Sequence, residues 1–383
     1  MKRENLIPRP DWPKKMEDLG FGFHSIDGIY WDERACYQFS AQEIDTLETA
    51  TADCHEMCIA AAQHVIDKNL YARFAIPPEF IPLIERSWND DEATFFGRFD
   101  FSWDGNGSPK MLEYNADTPT SLIEASVAQW YWLQEVKPRC DQFNSLHEKM
   151  LERFKAIAAE RGIKTMHFAC VGDSEEDVGN IDYLRDIALQ AGLDAPFIDI
   201  NNIGWDAIAK KFADENDQEI IALFKLYPWE WMVREAFGLN LLNSEMRIIE
   251  PAWKMLLANK AILPVLWELY PDHPNLLPAY FEAQKFTSDY VKKPLLSREG
   301  ANVTIKTSRG GVENTIAIPG EYGAEGFIYQ GFHPIPNYRE AGQDNYMVIG
   351  SWIIGDEPAG MGIREDESPV TKNTSRFLPH YFI

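Results

Sequence analysis

Residues 95–121 read FFGRFDFSWDGNGSPKMLEYNADTPTS, with two runs of aromatic and β-forming residues on either side of Asp104-Gly105-Asn106-Gly107. Asp-Gly and Asn-Gly pairs readily adopt the positive φ angles of tight turns, so this stretch is typical of a β-hairpin. Side chains alternate between the two faces of a strand, and residues paired across a hairpin share a face. The sequence therefore predicts a hairpin with one aromatic face and one polar face.

The predicted polar face carries Arg98, Asp100, Glu113 and Asn115. Carboxylate and amide oxygens suit a hard cation such as Mg²⁺, whose other ligands are usually water and substrate phosphates. A guanidinium beside them can hold a phosphate or a carboxylate through two hydrogen bonds. The residues alone leave two interpretations open, a magnesium and phosphate site or a solvated polar face with an Arg–Glu cross-strand pair.

The register of this hairpin follows from its turn if the two strands pair without irregularity. A one-residue bulge would shift that register. The expected cross-strand pairs are Trp103 with Ser108, Arg98 with Glu113, and Asp100 with Met111.

Lys293 and the segment 297–303 form a second candidate motif. A lysine on a strand followed by a glycine-containing loop can clamp nucleotide phosphates through its charge and the backbone N–H groups. The sequence has no Gly-x-x-x-x-Gly-Lys-Ser/Thr pattern, so this is not a Walker loop. Taken alone, the motif is explained more simply by a surface lysine.

The chain of 383 residues carries a formal charge of −24. Nucleic-acid binding needs clustered Lys and Arg, so this charge argues against a nucleic-acid partner. It is compatible with attraction of a cationic partner such as a polyamine, or simply with solubility. No signal peptide and no run of roughly 18 apolar residues is visible, so we expect a cytoplasmic protein that does not span a membrane.

The stretch 43–67 has helical spacing and few helix breakers, so it predicts one long helix. Cys54 and Cys58 lie one turn apart in it, but no second ligand pair follows at the spacing of a metal finger. We therefore expect both cysteines to be buried thiols of a core helix.

Residues 166–171, 177–191 and 195–200 follow a strand–helix–strand pattern, which favours a small parallel sheet. The unit lacks a Gly-x-Gly-x-x-Gly turn, so no dinucleotide site is predicted there. Later strands are expected at 326–330, 346–354 and 359–364.

Seven motifs follow one another along the chain: RFD at 98–100, EYNADTPTS at 113–121, FKLYPWE at 224–230, NK at 259–260, KP at 293–294, YQ at 329–330 and GIREDES at 362–368. Taken together, these motifs resemble the synthetase half of the glutathionylspermidine synthase family, whose fold is a modified ATP-grasp. The resemblance runs from about Arg9 to the C-terminus and is nearest to stand-alone members that lack the amidase domain.

The resemblance implies a mixed fold, α+β or α/β, which is a modified and circularly rearranged ATP-grasp fold with a small parallel-sheet pre-ATP-grasp domain. It implies a helical segment with the metal-binding hairpin at 1–150, the pre-ATP-grasp domain at 151–245, and the nucleotide-binding lobes at 246–383. Most ATP-grasp enzymes place the metal carboxylates after the two lysines. Here they precede both lysines, and this family shares that order.

The resemblance also implies ATP and Mg²⁺ as cofactors, with site residues that fall into four groups. The metal ligands would be Asp100, Glu113 and Asn115. The catalytic arginines at the transferred phosphoryl group would be Arg98 and Arg364. The ATP-binding residues would be Arg98, Asp100, Lys260, Lys293, Glu299, Gly300, Gln330, Gly331, Phe332, His333, Pro369, Val370 and Thr371. The substrate-binding residues would be Thr118, Thr120, Ser121, Glu176 and Asp177.

The activity implied is that of an ATP-dependent acid–amine ligase, a carbon–nitrogen ligase that works through an acyl phosphate. The implied substrates are a glutathione-like or other short peptide or acid, and an amine such as spermidine. The family pattern Lys-Thr-Trp-Ala-Trp-Glu reads KLYPWE at 225–230, so Leu226 replaces a hydroxyl that would contact glutathione. Loss of a hydrogen-bond partner changes which substrate a site accepts, so another short peptide or acid remains open.

Two other functions are compatible with parts of the sequence. A catalytically inactive ATP-binding regulator or scaffold of the same fold would keep the nucleotide residues without turnover. A hydrolase could use Asp100 and Glu113 as acid and base, but it would leave Lys260 and Lys293 unexplained. The sequence does not predict the oligomeric state.

Overall fold

The computed structural model describes residues 1–25, 28–287, 289–309 and 312–383. Over these residues the chain forms a mixed α/β fold with several sheets, one of them parallel. The helices are α1 (Trp12–Asp18), α2 (Ala41–Asp67), α3 (Ile81–Asn89), α4 (Gln129–Val136), α5 (Leu146–Arg161), α6 (Glu175–Gln190), α7 (Trp229–Met232), α8 (Met255–Ala258) and α9 (Ile262–Leu269). A π-helical turn, Glu124–Ala128, leads directly into α4.

The strands lie in both halves of the chain. They are β1 (Lys2–Asn5), β2 (Ala35–Phe39), β3 (Phe96–Ser102), β4 (Lys110–Asn115), β5 (His167–Cys170), β6 (Phe197–Asp199), β7 (Gly204–Asp206), β8 (Lys211–Ala213), β9 (Ala222–Lys225), β10 (Arg247–Ile249), β11 (Ala279–Tyr280), β12 (Tyr290–Pro294), β13 (Thr304–Arg309), β14 (Val312–Ala317), β15 (Phe327–Gly331), β16 (Tyr346–Ile354), β17 (Glu357–Asp366), β18 (Arg376–Leu378) and β19 (His380–Phe382).

The predicted hairpin is present as β3 and β4, at one side of a five-stranded antiparallel sheet in the order β18-β17-β16-β3-β4. Strand β3 pairs with β16, so residues separated by about two thirds of the chain share this sheet. The predicted later strands at 346–354 and 359–364 are confirmed as β16 and β17. The hairpin is therefore fixed by long-range pairing as well as by its own turn.

The predicted register of the hairpin is wrong. Arg98 pairs with Asn115 and Asp100 with Glu113, and a shift between Asp100 and Phe101 leaves Leu112 without an opposite partner. The turn displaces the register by one residue and this bulge displaces it by another. Beyond the bulge the register is displaced by two residues, so Arg98, Asp100, Glu113 and Asn115 keep their expected face, because side chains alternate with a period of two. The predicted polar face is confirmed for that reason. Met111, on the turn side of the bulge, is displaced by one residue and lies opposite Phe101 instead of Asp100.

The predicted parallel sheet is also confirmed, in the order β10-β9-β5-β6 with every neighbouring pair parallel. Helix α6 connects β5 to β6, as expected from the strand–helix–strand pattern. A third sheet, in the order β11-β15-β12-β13-β14, places Lys293 on β12 and 297–303 in the connection that follows it.

The long helix predicted at 43–67 spans 41–67 as α2. It begins with a capping box, in which Ser40 and Glu43 exchange hydrogen bonds between side chain and backbone N–H. Cys54 and Cys58 are fully buried on it, as predicted. In the part of the chain that the structure describes, no helix combines the length and the apolar character that crossing a bilayer requires.

A buried ion pair holds the start of β3 in place. The Glu250 carboxylate accepts hydrogen bonds from the backbone N–H groups of Phe95 and Phe96, and its Oε2 lies 2.7 Å from Lys254 Nζ. Lys254 Nζ also donates to the Phe96 carbonyl oxygen at 2.6 Å. Both charged side chains are at most 2% exposed, so each depends on the other for compensation.

We expect Lys254→Met to lower the free energy of unfolding by about 3–5 kcal/mol, because it leaves the Glu250 charge buried and unpaired. Urea denaturation followed by circular dichroism measures this loss. The matched control is Lys14→Met, which removes an exposed pair with Asp18 and should change little. Equal unfolding midpoints for the two variants would contradict the expectation.

Candidate active site

One face of the five-stranded sheet collects polar side chains from three strands. Trp352 and Gly350 of β16 pair with Arg98 and Asp100 of β3, and Gly350 also pairs with Gly362 of β17. Because paired residues share a face, Arg98 and Asp100 lie on the same face as Gly362. Alternation along β17 then adds Arg364 to it, and the pairing of β3 with β4 adds Glu113 and Asn115.

A glycine makes room for Arg98 on this face. A Cβ atom at Gly350 would lie 2.7 Å from Arg98 Cδ, which is closer than carbon atoms normally approach. The absent side chain lets the arginine stem cross β16, with its guanidinium 5.8 Å from the centre of the Trp352 ring. Arg98 is therefore buried against the sheet while its head reaches the polar face.

Arg98 and Asp100 form a fixed pair. Arg98 Nε donates to Asp100 Oδ1 at 2.8 Å, and Asn115 Nδ2 donates to Asp100 Oδ2 at 3.2 Å. Arg98 Nη1 donates to the Thr120 carbonyl oxygen at 2.7 Å. The guanidinium is thus held on two sides, by a carboxylate and by the loop that follows β4.

Two lysines from other parts of the chain surround Glu113. Lys260, just after α8, places Nζ 3.2 Å from Glu113 Oε2, and Lys293 Nζ donates to the Leu112 carbonyl oxygen at 2.8 Å. Burial raises the pKa of Glu113, but the charges of Lys260 and Lys293 outweigh burial and lower it to about 2. Burial lowers the pKa of Lys293 to about 8, although Glu113 opposes that shift. Glu113 is therefore ionised at neutral pH.

The oxygen set of Asp100, Glu113 and Asn115 fits a hard divalent cation in its chemistry. Two carboxylates lie directly opposite each other on paired strands, with an amide beside them. In the described ranges, no group of three or more His, Cys, Asp and Glu side chains is arranged to hold a metal. This set therefore depends on the amide, and on further ligands from outside the chain, to complete a coordination shell.

The predicted site residues converge on one cavity of about 350 Å³, with Ser121 as the exception. Those that line it are Arg98, Asp100, Glu113, Asn115, Thr118, Thr120, Glu176, Asp177, Lys260, Lys293, Glu299, Gly300, Gln330, Gly331, Phe332, His333, Arg364, Pro369, Val370 and Thr371. They come from two sheets, the five-stranded sheet that contains β3 and the sheet that contains β12, from helix α6 and from connecting loops.

Ser121 does not line the cavity. The residue is buried, its hydroxyl lies 3.0 Å from the Tyr30 hydroxyl, and its φ is 69°. A strand-like reading of the motif after Asn115 could not anticipate this left-handed conformation. The structure therefore gives no support to Ser121 as a substrate contact.

The segment 297–303 lies closed over the cavity. Arg298 Nη2 donates to Thr118 Oγ1 at 2.6 Å, and Arg298 Nη1 donates to Glu230 Oε1 at 3.3 Å. A Cβ atom at Gly300 would lie 2.5 Å from Val370 Cγ1, so only glycine allows this close approach to the 369–371 segment. The predicted nucleotide loop and the predicted nucleotide segment are therefore in direct contact.

Sequence reasoning missed two acidic residues beside the cavity. Both line it: Glu230 lies next to Arg298, and Asp117 has Oδ1 2.5 Å from Lys225 Nζ and Oδ2 accepting from the Trp229 N–H at 2.8 Å. Both lie inside motifs that carried the resemblance, but their partners are more than 60 residues away in sequence. Only the fold reveals those contacts.

One end of the cavity is acidic. Glu176, Asp177, Glu230 and Glu299 line this end, with Arg298 among them. Burial and the neighbouring charge of Glu176 raise the pKa of Asp177 to about 6. The cavity thus has a cationic region around Lys260 and Lys293 and an acidic region that can receive positive charge.

Comparisons with known proteins agree over the whole chain. Residues 3–383 match the family model described as glutathionylspermidine synthase pre-ATP-grasp. A Haemophilus influenzae protein named "putative acid–amine ligase" is 44% identical over 399 aligned positions, which cover 100% of both chains.

Longer relatives match over part of their length. Trypanothione synthetase of Crithidia fasciculata is 28% identical over 83% of this chain and 52% of the relative. The bifunctional glutathionylspermidine synthetase/amidase of Escherichia coli is 27% identical over 96% of this chain and 63% of the relative. The chain thus spans less than two thirds of these two proteins.

We expect Gly350→Ala to displace the Arg98 side chain and to lower the free energy of unfolding by about 1–3 kcal/mol, because the new methyl group overpacks the contact. Urea denaturation measures the loss, and a crystal structure of the variant measures the Arg98–Asp100 distance. Gly204→Ala is the control, since a Cβ atom there meets its nearest neighbour at an ordinary 3.6 Å. An unshifted Arg98 with wild-type stability would show that the contact is not tight.

Proposed function

Since the chain belongs to the glutathionylspermidine synthase family, we propose that it is an ATP-dependent acid–amine ligase that joins a short peptide or other carboxylic acid to an amine. One observation carries the proposal. In a single cavity, the oxygen set of Asp100, Glu113 and Asn115 lies among the cations Arg98, Lys260 and Lys293. This combination suits a metal-bound triphosphate beside a reacting carboxylate.

The cationic region binds the phosphates of ATP. Lys260 and Lys293 supply charge, and Lys260 Nζ also donates to the Ser297 carbonyl oxygen at 2.7 Å. This contact links the lysine to the start of the closing segment 297–303. Phosphate binding and closure of the segment are thereby coupled through one side chain.

Asp100, Glu113 and Asn115 would hold Mg²⁺, and their oxygen chemistry fits this role. When bound, Mg²⁺ offsets the charge of the phosphates and orients them. Arg98 already holds Asp100 in place, so that carboxylate needs little rearrangement to act as a ligand.

The first chemical step forms an acyl phosphate. An oxygen of the acid attacks the γ-phosphorus of ATP, a new O–P bond forms, and the bond to the β-phosphate oxygen breaks to release ADP. Arg98 and Arg364 reach the cavity from two strands of one sheet and stabilise the charge on the transferred group. The closed segment 297–303 excludes water that would otherwise hydrolyse the intermediate.

The second step forms the amide. The acidic region of Glu176, Asp177 and Glu230 attracts a cationic amine, such as a polyamine, into the cavity. The amine must lose a proton before it attacks, and Asp177, whose pKa is raised to about 6, can accept that proton. The nitrogen then attacks the acyl carbon, a C–N bond forms, the C–O bond to the phosphate group breaks, and phosphate leaves with the second proton that the nitrogen gives up.

A screen of short peptides and acids against amines, read by coupled ADP release and by mass spectrometry, tests this function. We expect ADP release to require both substrates, and the product mass to equal their sum minus one water. ADP release without an adduct would indicate an ATPase. Background ADP release with every pair would favour an ATP-binding protein without turnover.

We expect Asp100→Asn to lower turnover by about 100-fold or more, because it removes a charged ligand and the anchor of Arg98. Steady-state kinetics with the pair from the screen measures this loss. Asp53→Asn, on the exposed side of α2, is the control for loss of one carboxylate. Wild-type turnover in a folded Asp100→Asn variant would contradict the assignment.

The KM for ATP should rise as the pH increases from 7 to 9. Lys293 has a pKa lowered to about 8, so it loses its proton, and with it the charge that binds phosphate, within this range. A Lys293→Arg variant keeps its charge above pH 9 and should show a flatter profile. Identical pH profiles for the two proteins would exclude Lys293 as the titrating group.

A further inference from the structure

Glu124 is a buried carboxylate that the proposed mechanism does not use. It is 0% exposed, does not line the cavity, and begins the π-helical turn before α4. Its Oε1 accepts a hydrogen bond from the Tyr30 hydroxyl at 2.6 Å, but its buried Oε2 has no hydrogen-bond partner among the described residues. An unsatisfied buried oxygen is costly, and π-helical turns are frequent at functional sites.

The sheet places Arg364 on the side covered by this turn. A Cβ atom at Gly362 would lie 3.6 Å from Ala125 Cβ, so that face of β17 packs against the π-helical turn. Gly362 and Arg364 are two residues apart on one strand and therefore share a face. Gln129, just after the turn, donates to the Met361 carbonyl oxygen at 2.8 Å and fixes the two elements together.

Arg364 is also incompletely satisfied. Its Nη2 donates to the carbonyl oxygens of Lys372 and Asn373, while its buried Nε has no partner in the described ranges. The π-helical turn thus carries an unused acceptor on Glu124, and the face of β17 that packs against this turn carries an unused donor on Arg364. Burial raises the pKa of Glu124 to about 7, and the nearby charge of Arg364 opposes this rise.

We propose that Glu124 is a positioning residue for Arg364, whose Nε–H turns to the free Glu124 oxygen when the guanidinium takes its place at the transferred phosphoryl group. The proposal rests on the ligase function proposed above for Arg364. Tyr30 holds one carboxylate oxygen, and its own hydroxyl lies 3.0 Å from Ser121 Oγ, so the carboxylate is fixed before the arginine arrives. A guanidinium that is also held by a buried carboxylate has fewer orientations available, so it stays in the one that contacts the transferred phosphoryl group.

Glu124→Gln separates this role from a merely structural one. The amide oxygen of Gln still accepts the Tyr30 hydrogen bond, so the variant keeps the packing and loses the charge that would hold Arg364. We expect kcat to fall about 10-fold with the KM for ATP unchanged. We also expect no further loss when Glu124→Gln is added to Arg364→Ala, because coupled residues are not additive.

The kinetic result has a matched control and two outcomes that overturn the proposal. Glu160→Gln, on the exposed side of α5, should keep wild-type kinetics. Wild-type kcat in Glu124→Gln, or losses that multiply in the double variant, would overturn the proposal. If Glu124→Gln does not fold, Glu124→Asp keeps the charge on a shorter stem and should retain part of the activity; a fully inactive but folded Asp variant would equally overturn it.

A spectroscopic measurement keeps this inference distinct from the proposed function. In a ¹⁵N–¹H spectrum of arginine Nε groups with Mg²⁺ and a non-hydrolysable ATP analogue, the Arg364 signal is the one lost in Arg364→Lys. It should shift in Glu124→Gln and stay in Glu160→Gln. A shift in a protein without ligase activity would refute the function but support the pairing, whereas an unmoved signal in an active enzyme would refute the pairing alone.

Discussion

The interaction on which the site depends is the direct pairing of two carboxylates, Asp100 and Glu113, across adjacent strands. Like charges in this position repel each other and destabilise a sheet. Three cations offset that repulsion, and each comes from a different part of the chain. Arg98 lies on the same strand as Asp100, Lys260 precedes α9, and Lys293 belongs to a different sheet. The three segments that carry these cations therefore meet at the two carboxylates, whose negative charge they offset.

Buried ion pairs hold together the elements that surround Asp100 and Glu113. Asp117 and Lys225 join the loop after β4 to the end of the parallel sheet, and both are at most 2% exposed. Such pairs add little net stability, because the cost of desolvating the charges cancels much of the attraction. An arrangement that separates Asp117 from Lys225 would leave two unpaired buried charges, so the pair favours the observed placement of the loop against the parallel sheet. The part of the cavity that this loop lines keeps its shape for the same reason.

The sequence predicts what depends on local rules. The hairpin followed from its turn, and its polar face survived a wrong register because the two displacements add to an even number. The position of the bulge, at Leu112 of β4, does not follow from the turn residues, which define a register only if the strands pair without irregularity. Ser121, predicted to contact substrate, places its hydroxyl against Tyr30 and does not line the cavity, and Glu124 was missed because Tyr30, its hydrogen-bond donor, lies far away in sequence. Local pattern fixes faces, whereas long-range contacts decide which residues reach the cavity.

Under the proposed function, the closed segment 297–303 also bears on which acid can bind. Arg298 pairs internally with Thr118 and Glu230, and Glu230 is mostly buried. A substrate group that binds Arg298 or Glu230 has to displace that pairing. A substrate that carries both an anionic and a cationic group would replace the internal ion pair with one contact to Arg298 and one to Glu230, so neither protein charge would lose its partner. A purely anionic acid that takes Arg298 would leave the Glu230 carboxylate without its partner, so the internal ion pair disfavours binding of such an acid at Arg298.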